Sequence, residues 1–323
     1  MKPSYLLVQF ALTVVATWLP VSAHSESWPT KPVRLIVPFP PGGTMDILAR
    51  QIGHEITGPL GQAFVVENKP GAGTVIGVDA AAKSTDGHTF VMVANSFTVN
   101  PALVKNLPYD TLKDLQPVVL VARTANVLAA HPSVPGNTLQ EVLQYARKNP
   151  GKLAYASFGN GTTAHFAGEM LKLRSGVDML HVPYKGQIPA LNDLIAGRVQ
   201  LMFGNLPEFL PQIQAGKIKP LGTTYLERSK FAPDIPTIAE QGFPGFQTDS
   251  WYGIIAPASL PADAVRRMNG EINKALASRE VAGNLEQRQL DKLGGNSQQF
   301  GEFIRAEMAR YARIVQDANI HVD

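Results

Sequence analysis

The stretch VRLIVPFPPGGTMD, residues 33–46, decides how the rest of the chain is read. Val33, Leu35, Ile36 and Val37 make a run short enough for a buried strand, and Pro38 stops it. The turn Pro38-Phe39-Pro40-Pro41-Gly42-Gly43 follows, and Thr44 and Asp46 then head the apolar-periodic MDILARQIGHEI. The pattern predicts strand, stiff loop and helix N-terminus. The paired glycines permit positive φ and leave no Cβ in the way, so the free N–H groups of the first helical turn can face a solute. With the positive end of the helix dipole, those donors suit a carboxylate. An N-capped helix after an ordinary strand-to-helix turn would read the same way, so the stretch is informative only with a partner.

That partner is Ser157-Phe158-Gly159-Asn160-Gly161-Thr162-Thr163, which again follows a strand and opens a helix. If the two units face each other across a cleft, each presents a helix N-terminus, and a dicarboxylate can be gripped at both ends. Charge-assisted hydrogen bonds contribute roughly 1.5–3 kcal/mol each, and micromolar affinity needs about 8 kcal/mol. Four or five good donors therefore suffice without an arginine. Phe39, Phe158 and Tyr184 stand near loops where they could wall a carbon skeleton, with core packing as the alternative for each. Tyr184-Lys185-Gly186 opens a further helix, from which the phenol could reach the cleft.

Composition narrows the function classes. Lys2, the nearly unbroken apolar run 5–19 and the small residues Val21-Ser22-Ala23 read as a secretory signal cleaved after Ala23, leaving 323 − 23 = 300 residues. The run is shorter than the ~20 residues of a spanning helix, and Pro20 interrupts it. There is no Cys, so no disulfide framework, thiol nucleophile or lipid-acceptor thiol exists. Net charge is +3, or +2 without Lys2, and the basic residues are scattered. Binding to nucleic acid or an anionic membrane has no support, so any bound anion is held by local donors.

Three hundred residues suffice for two domains, each with its own core. Strands are expected at 64–67, 89–94, 116–121, 126–130, 153–157, 179–182, 199–203, 218–223 and 250–256, interleaved with helices. Such alternation is the mark of an α/β fold with parallel sheets, in which solutes sit beyond the carboxyl ends of the strands. The loops 38–44 and 95–98 lie at that edge. A domain crossing falls near residue 125, and WYGIIA at 251–256 carries the chain back. The last helix, 297–318, places Phe300, Phe303, Ile304, Met308, Tyr311 and Ile314 mainly on one face, read as packing against the first domain.

Catalytic signatures are missing. No GxSxG elbow or SxxK pair occurs. His165 and Glu169 stand one helical turn apart, but no matching ligand pair accompanies them, so solvated or capping roles are expected and no metal is assigned. Gly71-x-Gly73-x-x-x-Gly77 has one residue too many for a dinucleotide fingerprint and lacks the acidic partner, so no cofactor is expected. A Ser/His/Asp arrangement built from distant positions stays open as an alternative.

Several blocks in order carry a family resemblance: VPFPPGGTMD, VVENKPGAGTVIG, LPYDTLKDLQPV, YASFGNGTTAHFAGE, HVPYKG, DLIAGRVQLMF, PTIAEQGFPGF and SWYGIIAP. The chain resembles the Bug family of extracytoplasmic solute receptors, the binding components of tripartite tricarboxylate transporters, from Trp28 to the final helix. The resemblance implies an α/β, type II-like two-domain periplasmic binding protein with a ligand cleft between two Rossmann-like lobes, here 24–124 plus 251–323 and 125–250. It implies a small mono- or dicarboxylate ligand, permease subunits as partners, a monomer in the periplasm and no enzymatic activity. The implied ligand-binding residues are Phe39, Pro41, Gly42, Gly43, Thr44 and Asp46 in the first loop and Gly159, Asn160, Thr162 and Thr163 in the second, with Ser96, Tyr184 and Asn205 beside them. Where relatives often carry an acidic residue after the MF of the LMF strand, this chain has Gly204-Asn205, which argues against an amino acid ligand. A periplasmic sensor input for a membrane kinase would look the same in sequence.

Overall fold

The computed structural model describes residues 28–317. The expected signal segment and the last residue of the expected final helix lie outside that range. The first half runs β1 (Val33–Val37), α1 (Thr44–Leu60), β2 (Phe64–Asn68), α2 (Val75–Ala82), β3 (Thr89–Val93), α3 (Asn95–Leu103), β4 (Leu115–Ala130), α4 (Leu139–Lys148), β5 (Ala154–Ser157) and α5 (Thr163–Ser175). It continues through β6 (Leu180–Pro183), α6 (Gln187–Ile195), β7 (Leu201–Asn205), α7 (Leu206–Gln214), β8 (Lys219–Thr223), β9 (Asp249–Pro257), α8 (Ala262–Ala277), α9 (Arg279–Gln287), β10 (Asp291–Lys292) and α10 (Ser297–Asp317).

The strand order is β2-β1-β3-β9-β4-β7-β5-β6, with β8 and β10 attached to β4. Alternating strands and helices predict parallel pairing, and the outer strands obey: β1 pairs parallel with β2 and β3, and β5 with β6 and β7. The middle does not. β9 is antiparallel to β3 and β4, and β4 is antiparallel to β7 and β8. The reason is topological, because the chain leaves the first lobe along β4 and re-enters it along β9, so the two strands run in opposite senses. The stretches expected as separate strands at 116–121 and 126–130 are one sixteen-residue strand, which bonds to β9 up to Ala125 and to β7 from Asn126 onward. Register shifts at Pro117/Val119 and Leu120/Ala122 bend it on the way.

Period-two alternation supplies each lobe with two apolar layers. In β1, Leu35 and Val37 pack toward α1 and α8, alongside Ile52, Met268 and Ile272, while Ile36 faces α2, α3 and α10 with Val78, Phe97 and Phe300. In the second lobe Leu128 and Phe203 meet α4 and α5, and Val127 and Met202 meet α6 and α7. The final helix differs from its expected role. Phe300 and Ile304 do pack in the first lobe, but Tyr311 sits between Val99 of α3 and Phe166 of α5, its ring 5.1 Å from that of Phe166. α10 therefore straps the two lobes together. No helix among the described residues is long and apolar enough to cross a membrane.

Candidate functional site

Five helices begin at one cleft. Its lining includes Gly43, Thr44, Met45 and Asp46 at the start of α1, Asn95 and Ser96 of α3, Thr162 and Thr163 at α5, Gly186 and Gln187 at α6, and Asn205 and Glu208 at α7. Phe39, Phe158, Ile188 and Tyr252 supply apolar walls, and the space is about 660 Å³ including its mouth. Among the described residues no Lys or Arg lines it. The first N–H groups of a helix have no intrahelical partner. In α1 the ladder begins with Ile47 N–H to Gly43 O, in α3 with Phe97 to Ala94, and in α5 with Phe166 to Thr162. Ahead of those bonds Thr44 N–H goes to Glu208 Oε1 and Thr162 N–H to Gly159 O, and the remaining donors stand at the positive helix ends that border the cleft.

Of the residues singled out from sequence, Phe39, Pro41, Gly43, Thr44, Asp46, Ser96, Thr162, Thr163 and Asn205 come together here. Gly42, Gly159, Asn160 and Tyr184 do not line the cleft. Gly42 is the residue that needs glycine, with φ of +91°, and its N–H turns back to Asp46. Gly43 has φ −83° and ψ 170°, a conformation any residue adopts. Gly159 closes its own turn by accepting from Ser157 and Thr162 hydroxyls. The Asn160 carbonyl lies against Gly73 of the facing lobe. The Tyr184 hydroxyl donates to Asp193 at 2.7 Å on its own lobe rather than reaching across.

The side chains expected to hold a ligand mostly hold the protein. Asp46 accepts from Gly42 N–H at 3.0 Å and Asn68 at 2.9 Å and pairs with Arg50 at 3.0 Å. Burial pushes its pKa up, but Arg50, Gly42 and Asn68 together outweigh burial and keep it below the usual carboxylate range. The hydroxyl of Ser96 meets Thr74, that of Thr163 meets Ser250, and that of Thr162 donates to Gly159 O. Among the described residues the backbone N–H groups of Asp46, Ser96 and Thr163 make no hydrogen bond, whereas that of Thr162 goes to Gly159 O. The segment 95–98, expected as a loop, is the first turn of α3 and adds donors that the sequence concealed, because Val99 and Pro101 make a poor helix pattern.

Asn205 is a hub. Its carboxamide accepts from Asn126 and Ser250, both at 2.7 Å, and donates to Tyr252 at 2.9 Å, while its backbone bonds to the Gln187 side chain. These partners come from β4, β9 and α6, so the residue ties the point where the lobes meet. Glu208 is the residue that sequence reasoning missed. It sits in the first turn of α7 and accepts from the Thr44 N–H at 2.9 Å and from the Thr44 hydroxyl, across the cleft.

A Ser–His pair exists but not in the cleft. Ser157 Oγ lies 2.7 Å from His181 Nε2, and the His181 ring stacks on His165 at 4.3 Å and on Tyr155 at 4.8 Å. Ser157 is fully buried and does not line the cleft, so the pair serves packing. His165 accepts from Gly161 N–H, a capping role, but it is buried rather than solvated, and Glu169 binds Tyr155 and Lys172. Burial lowers the His165 pKa to about 4, and burial with the neighbouring His165 lowers that of His181 to about 3. Both rings are neutral when folded, whereas in the unfolded chain they titrate near 6.5. Their stabilising effect is thus fully present above pH 6.5 and declines as pH falls toward 4, by ~1.4 kcal/mol per pH unit for each ring. Urea unfolding at pH 7 and pH 5 should show the loss, and His181→Gln should flatten it. Identical pH dependence with and without His181 would contradict this account.

The family model for the tripartite tricarboxylate transporter family receptor matches residues 48–320. This chain belongs to that family. The receptor is 33% identical to Protein BugT of Bordetella pertussis over 98% of both chains. Among solved structures it is similar to R. palustris Rpa4515 with adipate, at 36% identity and TM-score 0.87 over 91% of this chain and 99% of that one. It is also similar to MatC from Rhodopseudomonas palustris with bound malate, at 30% identity and TM-score 0.83 over 89% and 100%. The two-lobed α/β fold is that of periplasmic binding proteins such as BugD, matched at TM-score 0.86. It is a solute-binding receptor and not an enzyme, which retires the dispersed-triad alternative.

Proposed function

We propose that this receptor captures a small carboxylate in the periplasm, as a monomer, and delivers it to the permease subunits of a tripartite transporter. The observation that carries this reading is the convergence of the α1, α3, α5 and α6 N-termini on one cleft without a cationic side chain among the described residues. Unbonded helical amides backed by dipoles suit an anion, and neighbours solved with adipate and malate support an acid as the ligand class. The apparent signal segment at 1–23 agrees with export. In this reading residues 24–124 with 251–323 form one lobe and 125–250 the other, turning on β4 and β9. The anion touches α1 and α3 from one side and α5 and α6 from the other only when the lobes are closed, so ligand shifts the population toward closure.

Calorimetry with a panel of mono- and dicarboxylates of two to eight carbons should find at least one acid bound at micromolar or tighter affinity. Native mass spectrometry of protein purified without refolding should release the same class of ligand. Absence of binding across the panel, with an amine or a sugar recovered instead, would sink the proposal.

A further inference from the structure

We infer that Thr74, which does not itself line the cleft, is a positioning residue for ligand binding: its hydroxyl holds Ser96, and with it the first turn of α3, in place for the bound acid. The inference rests on the carboxylate reading given above and extends it to a residue outside the lining. Ala72, Gly73 and Thr74 stand in a row in the left-handed region, with φ of +46°, +59° and +81°. That region is uncommon for any residue with a side chain and least suited to a β-branched one. Glycine or asparagine would hold the same turn with less strain.

Threonine does not do its usual work at this position. Thr74 directly precedes α2, where a threonine hydroxyl ordinarily accepts from the amides of the helix it opens, yet it makes no capping bond. Its hydroxyl instead meets Ser96 Oγ at 3.0 Å, with both residues buried, and has no other partner among the described residues. Ser96 lines the cleft, and its N–H makes no hydrogen bond among the described residues. One turn further along α3, Asn100 donates from Nδ2 to Gly73 O at 3.1 Å, so the strained turn grips α3 at two places. The turn also stands where the lobes meet, since a Cβ added to Gly73 would lie 3.3 Å from the Asn160 carbonyl oxygen of the facing lobe. Backbone strain of this kind persists where the surrounding structure enforces it, and it clusters at ligand sites. What the strained conformation retains at residue 74 is a hydroxyl, and what that hydroxyl fixes is the α3 side of the cleft.

The test compares wild type with Thr74→Ser, Thr74→Val and Thr74→Gly, by thermal melting without ligand and by calorimetry. The probe is the tightest binder among the linear mono- and dicarboxylates of two to eight carbons. Affinity should follow the hydroxyl, with Thr74→Ser within threefold of wild type and both Thr74→Val and Thr74→Gly at least tenfold weaker. Stability should follow the backbone, so that Thr74→Gly, which adopts a φ of +81° freely, melts at a higher temperature than Thr74→Val. Weak binding by a Thr74→Gly protein that is the better folded of the two is not an effect of unfolding. Thr74→Val or Thr74→Gly binding within threefold of wild type, or Thr74→Ser binding as weakly as they do, overturns the inference and leaves the carboxylate reading intact. Affinities that rank with melting temperature instead of with the hydroxyl overturn it too, because a purely structural role gives that order. If Thr74→Val does not fold, Thr74→Gly against Thr74→Ser decides by the same thresholds. Failure of wild type to bind any acid of the panel overturns the carboxylate reading and this inference with it.

Discussion

Gly43→Val is expected to abolish ligand binding, by at least a hundredfold, while the protein stays folded. Gly43 lines the cleft in an extended conformation that a β-branched residue favours, and a Cβ built there meets no atom within 4 Å. The added isopropyl group therefore enters the space that the ligand would fill and screens the α1 amides. As an N-cap, valine is poorer than glycine, so a stability loss of about 1 kcal/mol is anticipated, far from unfolding. Gly42→Val is the contrasting variant. With φ of +91° it strains the turn itself and should lower stability and binding together. Calorimetry for affinity and thermal melting for stability separate the two effects. Unchanged affinity in Gly43→Val would mean that the ligand does not sit against this turn.

Gly204→Asp is expected to be the most destabilising single change near the cleft, by roughly 4 kcal/mol from overpacking and a buried charge combined. Gly204 lies in β7 opposite Val127, and three atoms of the Phe209 ring fall within 3.0 Å of where its Cβ would stand. Phe209 is fully buried in the core between β7 and α7, so the ring has nowhere to go. Gly204→Ala should cost less, about 1–3 kcal/mol, because it adds bulk without charge. Urea titration gives both values, and a Gly204→Asp protein as stable as the parent would refute the packing argument.

The legible parts of the site are those in which a few consecutive residues dictate backbone conformation. Pro38 to Gly43 stops a strand, turns and releases a helix whatever surrounds it, and the Gly-Asn-Gly turn ahead of Thr162 does likewise. The illegible parts depend on neighbours far along the chain. Asn95 begins a helix against expectation because Asn100 and Phe97 find partners in the Ala72–Thr74 turn and the β9 side of the sheet, not because its own sequence favours helix. Ser96, Thr162 and Thr163 read as ligand contacts, yet each hydroxyl meets another protein group, a choice made only once Thr74, Gly159 and Ser250 are in place.

By itself the sequence determined two α/β units, the glycine turns that open α1 and α5, and a family membership carried by ordered motifs, since all of these are written in short-range pattern. Only the tertiary structure decided that β4 and β9 run antiparallel between the lobes, that α10 straps both, and that Glu208 meets Thr44 across 164 residues of chain. The physical reason is that a helix start advertises unpaired amides locally, whereas which carboxylate satisfies them is settled by how the two lobes close on each other.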